Sequence, residues 1–320
     1  MSVTRGRTTI VLTVTSLIGM AAFLSPFWLA RTQTAGADRT AHGGDAPLLF
    51  AAIGVLCLGV LLIETGGGSD PDAKRVALLG VLVAANAALR LIPGIFGASP
   101  IFFLPICVGF VWGPSFGFLL GAASIAVSAL LTGGIGPWLP LQMMTLGWVG
   151  LTAGALTPLL PIGSLRSRPR GRPRPPSPWG KGGRERGLRH ALPQYSVLST
   201  QYVVLLAIFG AVWGFLFGAI MNLWFWPFAA PASPAESGLY WAPGLGLGET
   251  VRRYLVFYGA TSAVYDAFRA AGNVAMFALF GRPVLLLLLR FRDRFTWQPI
   301  TALPSPVIPQ LAVTDTQSEP

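Results

Sequence analysis

The strongest constraint on this chain is its repeated return to apolar runs about as long as the hydrocarbon core of a bilayer is thick. A helix rises 1.5 Å per residue, so about 20 apolar residues cross roughly 30 Å. Such runs fall at about 9–30, 47–63, 76–92, 101–113, 115–131, 141–161, 200–226 and 254–280. Only 11% of the 320 residues are charged, while 53% are hydrophobic. An ordinary globular chain is about a quarter charged. Lipid is the natural solvent for the surplus, and the sequence predicts an all-α polytopic membrane helix bundle.

The run at 101–113 is short. Gly113-Pro114 predicts a tight reversal after it, because Pro114 pushes its predecessor out of helical geometry and suits a first helical turn. Merging 101–113 with 115–131 into one broken helix is the alternative, and it changes the parity of everything downstream. Lysine and arginine accumulate on the cytoplasmic side. With eight crossings starting inside, Lys74-Arg75, the basic cluster 166–189 and Arg290, Arg292 and Arg294 all fall in the cytoplasm. The outer segments 93–100 and 132–140 then carry no basic residue, and 227–252 carries only Arg252. Seven crossings do not give that separation, so the reversal is kept, and the chain is placed in the cell membrane with both termini on the cytoplasmic side. The first run follows Arg5 and Arg7 and resembles a signal peptide in outline. Its length, and Arg31 in place of a small-residue cleavage site, favour a retained helix.

The formal charge of +11 is concentrated, not spread over a folded face. Nine of the 23 basic residues lie between Arg166 and Arg189, among Pro and Gly and beside one acid, Glu185. The segment 164–190 therefore reads as a disordered cytoplasmic tether near anionic lipid headgroups, and nucleic acid is not needed as a partner. The tail 291–320, proline-rich after Trp297, reads as unstructured. Cys57 and Cys107 sit in apolar runs and imply no disulfide framework. No Walker-type phosphate loop, metal-protease motif or paired-cysteine ligand set occurs, so neither metal nor cofactor is expected. His42 and His190 lie far from every polar cluster, which argues against a membrane enzyme.

Polar and small residues inside the apolar runs are the functional candidates. On the third run, Gly80, Ala84 and Ala88 recur every fourth residue, a stripe suited to close helix approach either within the chain or against a partner. Asn86 and Arg90 lie on the same helix; Arg90 either snorkels to the outer interface or faces a cavity, and Asn86 has less reach. The outer loop LTGGIGPWLPLQMM supplies Trp138, an interfacial anchor or a lid, and Gln142, which both donates and accepts. Asn222, Trp224 and Trp226 close the seventh run, and Tyr240 and Trp241 follow; these aromatics form either a belt or a platform for a planar ligand. The eighth run carries Tyr258, Asp266, Arg269 and Asn273. An acid in mid-membrane needs a partner, and Arg269 shares its face. That pair either fixes helix register or contributes to a site, with proton coupling a further possibility.

From about Lys74 to Arg290 the chain resembles the substrate-binding S components of energy-coupling factor (ECF) vitamin transporters, in their actinobacterial branch. The resemblance rests on RLIPGIFGASPIFFLPICVGFVWGP, GGIGPWLPLQM and WGFLFGAIMNLWFWP. It implies a six-helix ECF S-component-like core at 74–290, plus two N-terminal transmembrane helices at 1–73. It implies a non-catalytic subunit that binds a small vitamin-like molecule from outside. Its partners would be a transmembrane scaffold subunit and two ATP-binding cassette ATPase subunits that hydrolyse ATP. The family's docking stripe would fall on Ala84 and Ala88, extended by Gly80. The two added helices and the basic 164–190 loop depart from the family pattern. Pocket residues differ among such proteins, so the site candidates rest on side-chain chemistry. Aromatics and amides favour a neutral heteroaromatic or corrin-like vitamin; cobalamin and a thiamine precursor both fit, with cobalamin preferred. The competing expectation is a stand-alone secondary transporter coupled to a proton gradient through Asp266.

Overall fold

Apolar sequence with few helix breakers gives helices throughout, and every regular element among the described residues is helical. The computed structural model describes residues 2–29, 46–65, 70–92, 94, 97–159, 183–228, 238–242 and 244–295. Its helices are α1 (Ser2–Leu29), α2 (Ala46–Thr65), α3 (Asp70–Leu89), α4 (Phe103–Trp112), α5 (Pro114–Thr132), α6 (Leu139–Leu156), α7 (Gly183–Phe225), α8 (Leu247–Thr261), α9 (Ala263–Met276) and α10 (Arg282–Phe295). A π-turn, Phe277–Gly281, joins the last two without a break in direction. Four helical segments among the described residues are long and apolar enough to cross a membrane: Pro114–Thr132, Leu139–Leu156, Thr200–Phe225 and Ala263–Arg292.

The centre of the bundle is built where backbones touch. Helices α5 and α6 run antiparallel, with Gly117 against Gly150, Gly121 against Leu146 and Gly154 against Pro114. A Cβ at any of these glycines would collide with backbone atoms of the other helix. Lipid supplies no hydrophobic drive between helices, so close packing must hold them together. The expected reversal is present: Gly113 takes φ 107°, ψ 174°, a glycine conformation, and Pro114 opens α5. Gly109 and Gly117 meet across that turn.

Helix α4 explains the shortness of its run. With the 3₁₀ turn Pro100–Phe102 before it, it covers 13 residues, about 20 Å and less than the bilayer core. Nearly all of it is buried, from Phe103 to Val111 except Leu104. A short helix is tolerated at membrane depth when protein, not lipid, surrounds it.

The chain's two ends of the bundle differ in character. At one end, Thr157 Oγ1 donates to Phe110 O at 2.8 Å and Arg292 Nη1 donates to Val111 O at 3.3 Å. Lys74 and Arg75 begin α3 toward this end. At the opposite end lie Arg90, Ser128, Gln142, Asn222 and Trp226, together with the loop that carries Trp138. The N-terminal helices pack on the core. Trp148 Nε1 donates to Ser16 Oγ at 3.1 Å, and Phe27 sits 5.7 Å from Trp241, edge to face.

Three expectations change. The run 254–280 is not one unbroken helix: the helix is interrupted at Ser262, where φ is −132°, and the long apolar segment is Ala263–Arg292. The apolar pattern continues across the break, and Asn222 bonds to Ser262 Oγ there. Second, α7 begins at Gly183, so the last part of the expected 164–190 tether is helical; positions 164–182 lie outside the described residues. Third, α10 carries helix to Phe295, into the expected tail 291–320, whose remainder is outside the described residues.

Gly150→Leu should force α5 and α6 apart and destabilise the purified chain by about 3 kcal/mol, the upper end of an overpacking penalty. Gly80→Leu should leave stability unchanged, because a Cβ there meets nothing within 4 Å. Thermal melts of the two variants in the same detergent make the comparison.

Candidate functional site

The candidate residues separate into two clusters at one end of the bundle. The first joins α3, α5 and α6. Helix α3 turns Leu79, Val83, Asn86 and Ala87 inward, and Arg90 continues that face one turn beyond Asn86. The Arg90 guanidinium donates from Nη1 to Ser128 Oγ at 2.9 Å and from Nη2 to Gln142 Oε1 at 3.5 Å. Ser128 is held in turn by donating to Ile125 O at 2.9 Å. Asn86 is 0% exposed, and neither Nδ2 nor Oδ1 has a hydrogen-bond partner. An unmet buried polar atom costs about 1–3 kcal/mol. Among the described residues no acid pairs with Arg90; the ion pairs there are Glu249 with Arg252 and Arg253, and Asp266 with Arg269.

The second cluster is a seam between α7 and α9. Gly210, Gly214 and Gly218 line one face of α7 and let α9 approach closely. Asn273 Nδ2 donates to Gly210 O at 2.7 Å, and Arg269 Nη1 donates to Gly214 O at 3.1 Å and also to Asp266. A Cβ on Gly218 would fall on the Asp266 carboxylate. Tyr258 donates to Asp266 Oδ2 at 2.7 Å, Tyr254 donates to Ala219 O, and Asn222 donates to Ser262 Oγ. Arg269 also lies 5.4 Å from the Phe217 ring centroid. The pairing of Asp266 with Arg269 is therefore a helix-packing contact. Asp266 lies in the first turn of α9, near the start of the long apolar helix Ala263–Arg292. A helix start stabilises negative charge.

The aromatic candidates have separate fates. Trp138 precedes α6, is 43% exposed, and accepts the Gln142 backbone N–H at 3.0 Å. Trp224 is half-buried against the core, and Trp241 is half-buried against Phe27. Trp226 is fully buried, donating to Leu239 O at 2.9 Å and packing on Tyr254 and Phe257. It ties the segment at Leu239 to the seam.

Residue chemistry alone did not single out Ser128, Ser262 or Tyr254, whose hydroxyls are common in helices. The spacing of Gly210, Gly214 and Gly218 is the one legible signal for the second seam. On α8, Arg252 and Arg253 both hydrogen-bond Glu249 and hold its carboxyl at about 2. Its folded value lies below the ordinary one, so that contribution is complete above the usual carboxylate range and is lost only as pH falls through about 2. No protein-family model, curated protein or solved structure matches the chain.

Arg269→Leu should destabilise the chain by about 3–5 kcal/mol, because it strands a buried carboxylate. Combining it with Asp266→Asn should recover most of that loss. Denaturation of both variants beside the parent distinguishes a packing pair, for which the double variant recovers, from two unrelated residues, for which the losses add.

Proposed function

We propose that this chain is the substrate-binding, non-catalytic subunit of an ATP-driven importer of the ECF S-component type, taking up a small vitamin-like solute. The observation that carries the reading is the two-sidedness of α3. Its inward face brings Asn86 and Arg90 to the α5/α6 junction, while Gly80, Ala84 and Ala88 are exposed on another face. A stripe of small residues that is exposed within the described chain, with nothing within 4 Å of a Cβ at Gly80, suits close approach by a second membrane protein. The motif resemblance supplies that partner's class: a transmembrane scaffold with two ATP-binding cassette ATPases. In this reading the chain sits in the cell membrane with eight crossings, the basic end inside and the Arg90 end outside. The separation of Lys74, Arg75 and Arg292 from Arg90 and Trp138 along the bundle supports that orientation. Nothing in the arrangement selects cobalamin.

A stand-alone proton-coupled transporter is the competing reading. It requires an acid free to exchange protons, and Asp266 is engaged by both Arg269 and Tyr258. Proteoliposomes holding the chain alone should therefore show no uptake driven by a proton gradient.

Ala84→Trp should leave solute binding at the parent level and abolish uptake in cells at equal expression. Uptake equal to the parent's would remove the docking surface from this reading. With Cys57 and Cys107 replaced by Ala, an Ile135→Cys chain in intact cells should react with an impermeant maleimide, and an Arg290→Cys chain should react only after permeabilisation. The reverse pattern inverts the orientation.

A further inference from the structure

We infer that the α3/α5/α6 junction binds the carboxylate of a small anionic solute, with Arg90 as its charge partner and Asn86, Ser128 and Gln142 as neutral ones. This inference rests on the proposed solute-binding role and names the chemical class that role would serve.

Three observations converge on it. The Asn86 side chain can donate two hydrogen bonds and accept two, yet it makes none while fully buried. Buried amides of this kind are normally satisfied, so an unpaired one points to a partner supplied from outside the chain. Arg90 lies one turn away on the same face and has five donors. One is well used, on Ser128, and the Gln142 contact at 3.5 Å is at the limit of a hydrogen bond. The third observation is the charge balance. Of the acids described at this end, Glu249 is shared by Arg252 and Arg253, and Asp266 is taken by Arg269. Arg90 therefore faces the junction with its charge uncompensated among the described residues.

A neutral solute would cover the half-buried Arg90 without countering its charge. A carboxylate matches it in sign and geometry, since the planar fork of a guanidinium meets two oxygens with parallel N–H donors. The long Gln142 contact is the weakest and the one a ligand oxygen would replace. Ser128 holds the guanidinium through Nη1. The buried Asn86 amide, one turn before Arg90 on the same helix, offers further donors. A corrin whose side chains are neutral amides lacks the group this arrangement selects.

The test uses the full chain in phosphatidylcholine nanodiscs. Binding is measured by tryptophan fluorescence and calorimetry for pairs differing only at the acid: pantothenate with pantothenol, biotin with biotinamide, and nicotinate with nicotinamide. Cyanocobalamin serves as the neutral corrin. In parallel, any solute retained through purification is identified by mass spectrometry. The expected result is a bound acid whose neutral counterpart binds about tenfold to hundredfold more weakly, as a charged hydrogen bond implies. Arg90→Gln should bring the acid down to its counterpart's level, and Arg90→Lys should restore part of the difference. Asn86→Asp should weaken the acid further by setting a like charge beside it. Equal binding within a pair, an acid indifferent to Arg90→Gln, or a retained solute that is uncharged at neutral pH would overturn the carboxylate assignment while leaving a solute-binding subunit. Displacement of the acid by phosphatidylglycerol through Arg90 would reassign the site to a lipid headgroup. Binding of no probe together with retention of no solute would overturn the solute-binding role itself.

Discussion

Close contact between helix backbones is the constraint on which the rest of this structure depends. Two antiparallel seams supply it. In the first, Gly117, Gly121, Gly150 and Gly154 bring α5 and α6 together at the centre. In the second, Gly210, Gly214 and Gly218 bring α9 onto α7. Where carbonyls of one helix come within reach of side chains on another, polar residues can live in an apolar setting, and Asn273 and Arg269 do so by donating to α7 carbonyls. The glycines thus both hold the bundle and make its internal polar chemistry possible.

The two polar clusters differ in what they leave over. In the α7/α9 seam the charged groups have protein partners, Asp266 with Arg269 and Tyr258, and Asn222 has Ser262, while Asn273 donates to Gly210 O and leaves its Oδ1 unpartnered. At the α3/α5/α6 junction Asn86 has none, and Arg90 has hydroxyl and amide oxygens but no acid among the described residues. Satisfaction marks a structural contact, and a surplus marks a place where something else can bind. By this measure the residues that looked sharpest in the sequence, on the last apolar run, hold helices together. The solute site we propose accordingly draws on α3.

Much of the fold is legible in the sequence because hydrophobic run length and the reversal at Gly113-Pro114 depend on local chemistry. The partner of Asp266 is legible for the same reason, being three residues away on one helix. The break at Ser262 is not, since no local helix breaker marks it and the Asn222 that bonds to its hydroxyl lies forty residues earlier. The burial of α4 is equally hidden, because an apolar run reads the same whether lipid or protein covers it. Ser128 carries no signature at all; it matters only because two other helices deliver Arg90 and Gln142 to it. Gly210, Gly214 and Gly218 were available as a pattern, and their regular spacing outweighs the more conspicuous tryptophans beside them.

Helix α7 has a geometric consequence. Its 43 residues come to about 64 Å at 1.5 Å each, roughly twice the thickness of the hydrocarbon core, and Pro193 removes one hydrogen bond from its ladder. The glycine clamp at Gly210, Gly214 and Gly218 lies in the half that ends near Trp226. More helix than one bilayer crossing needs is therefore left beyond the clamp, toward Gly183.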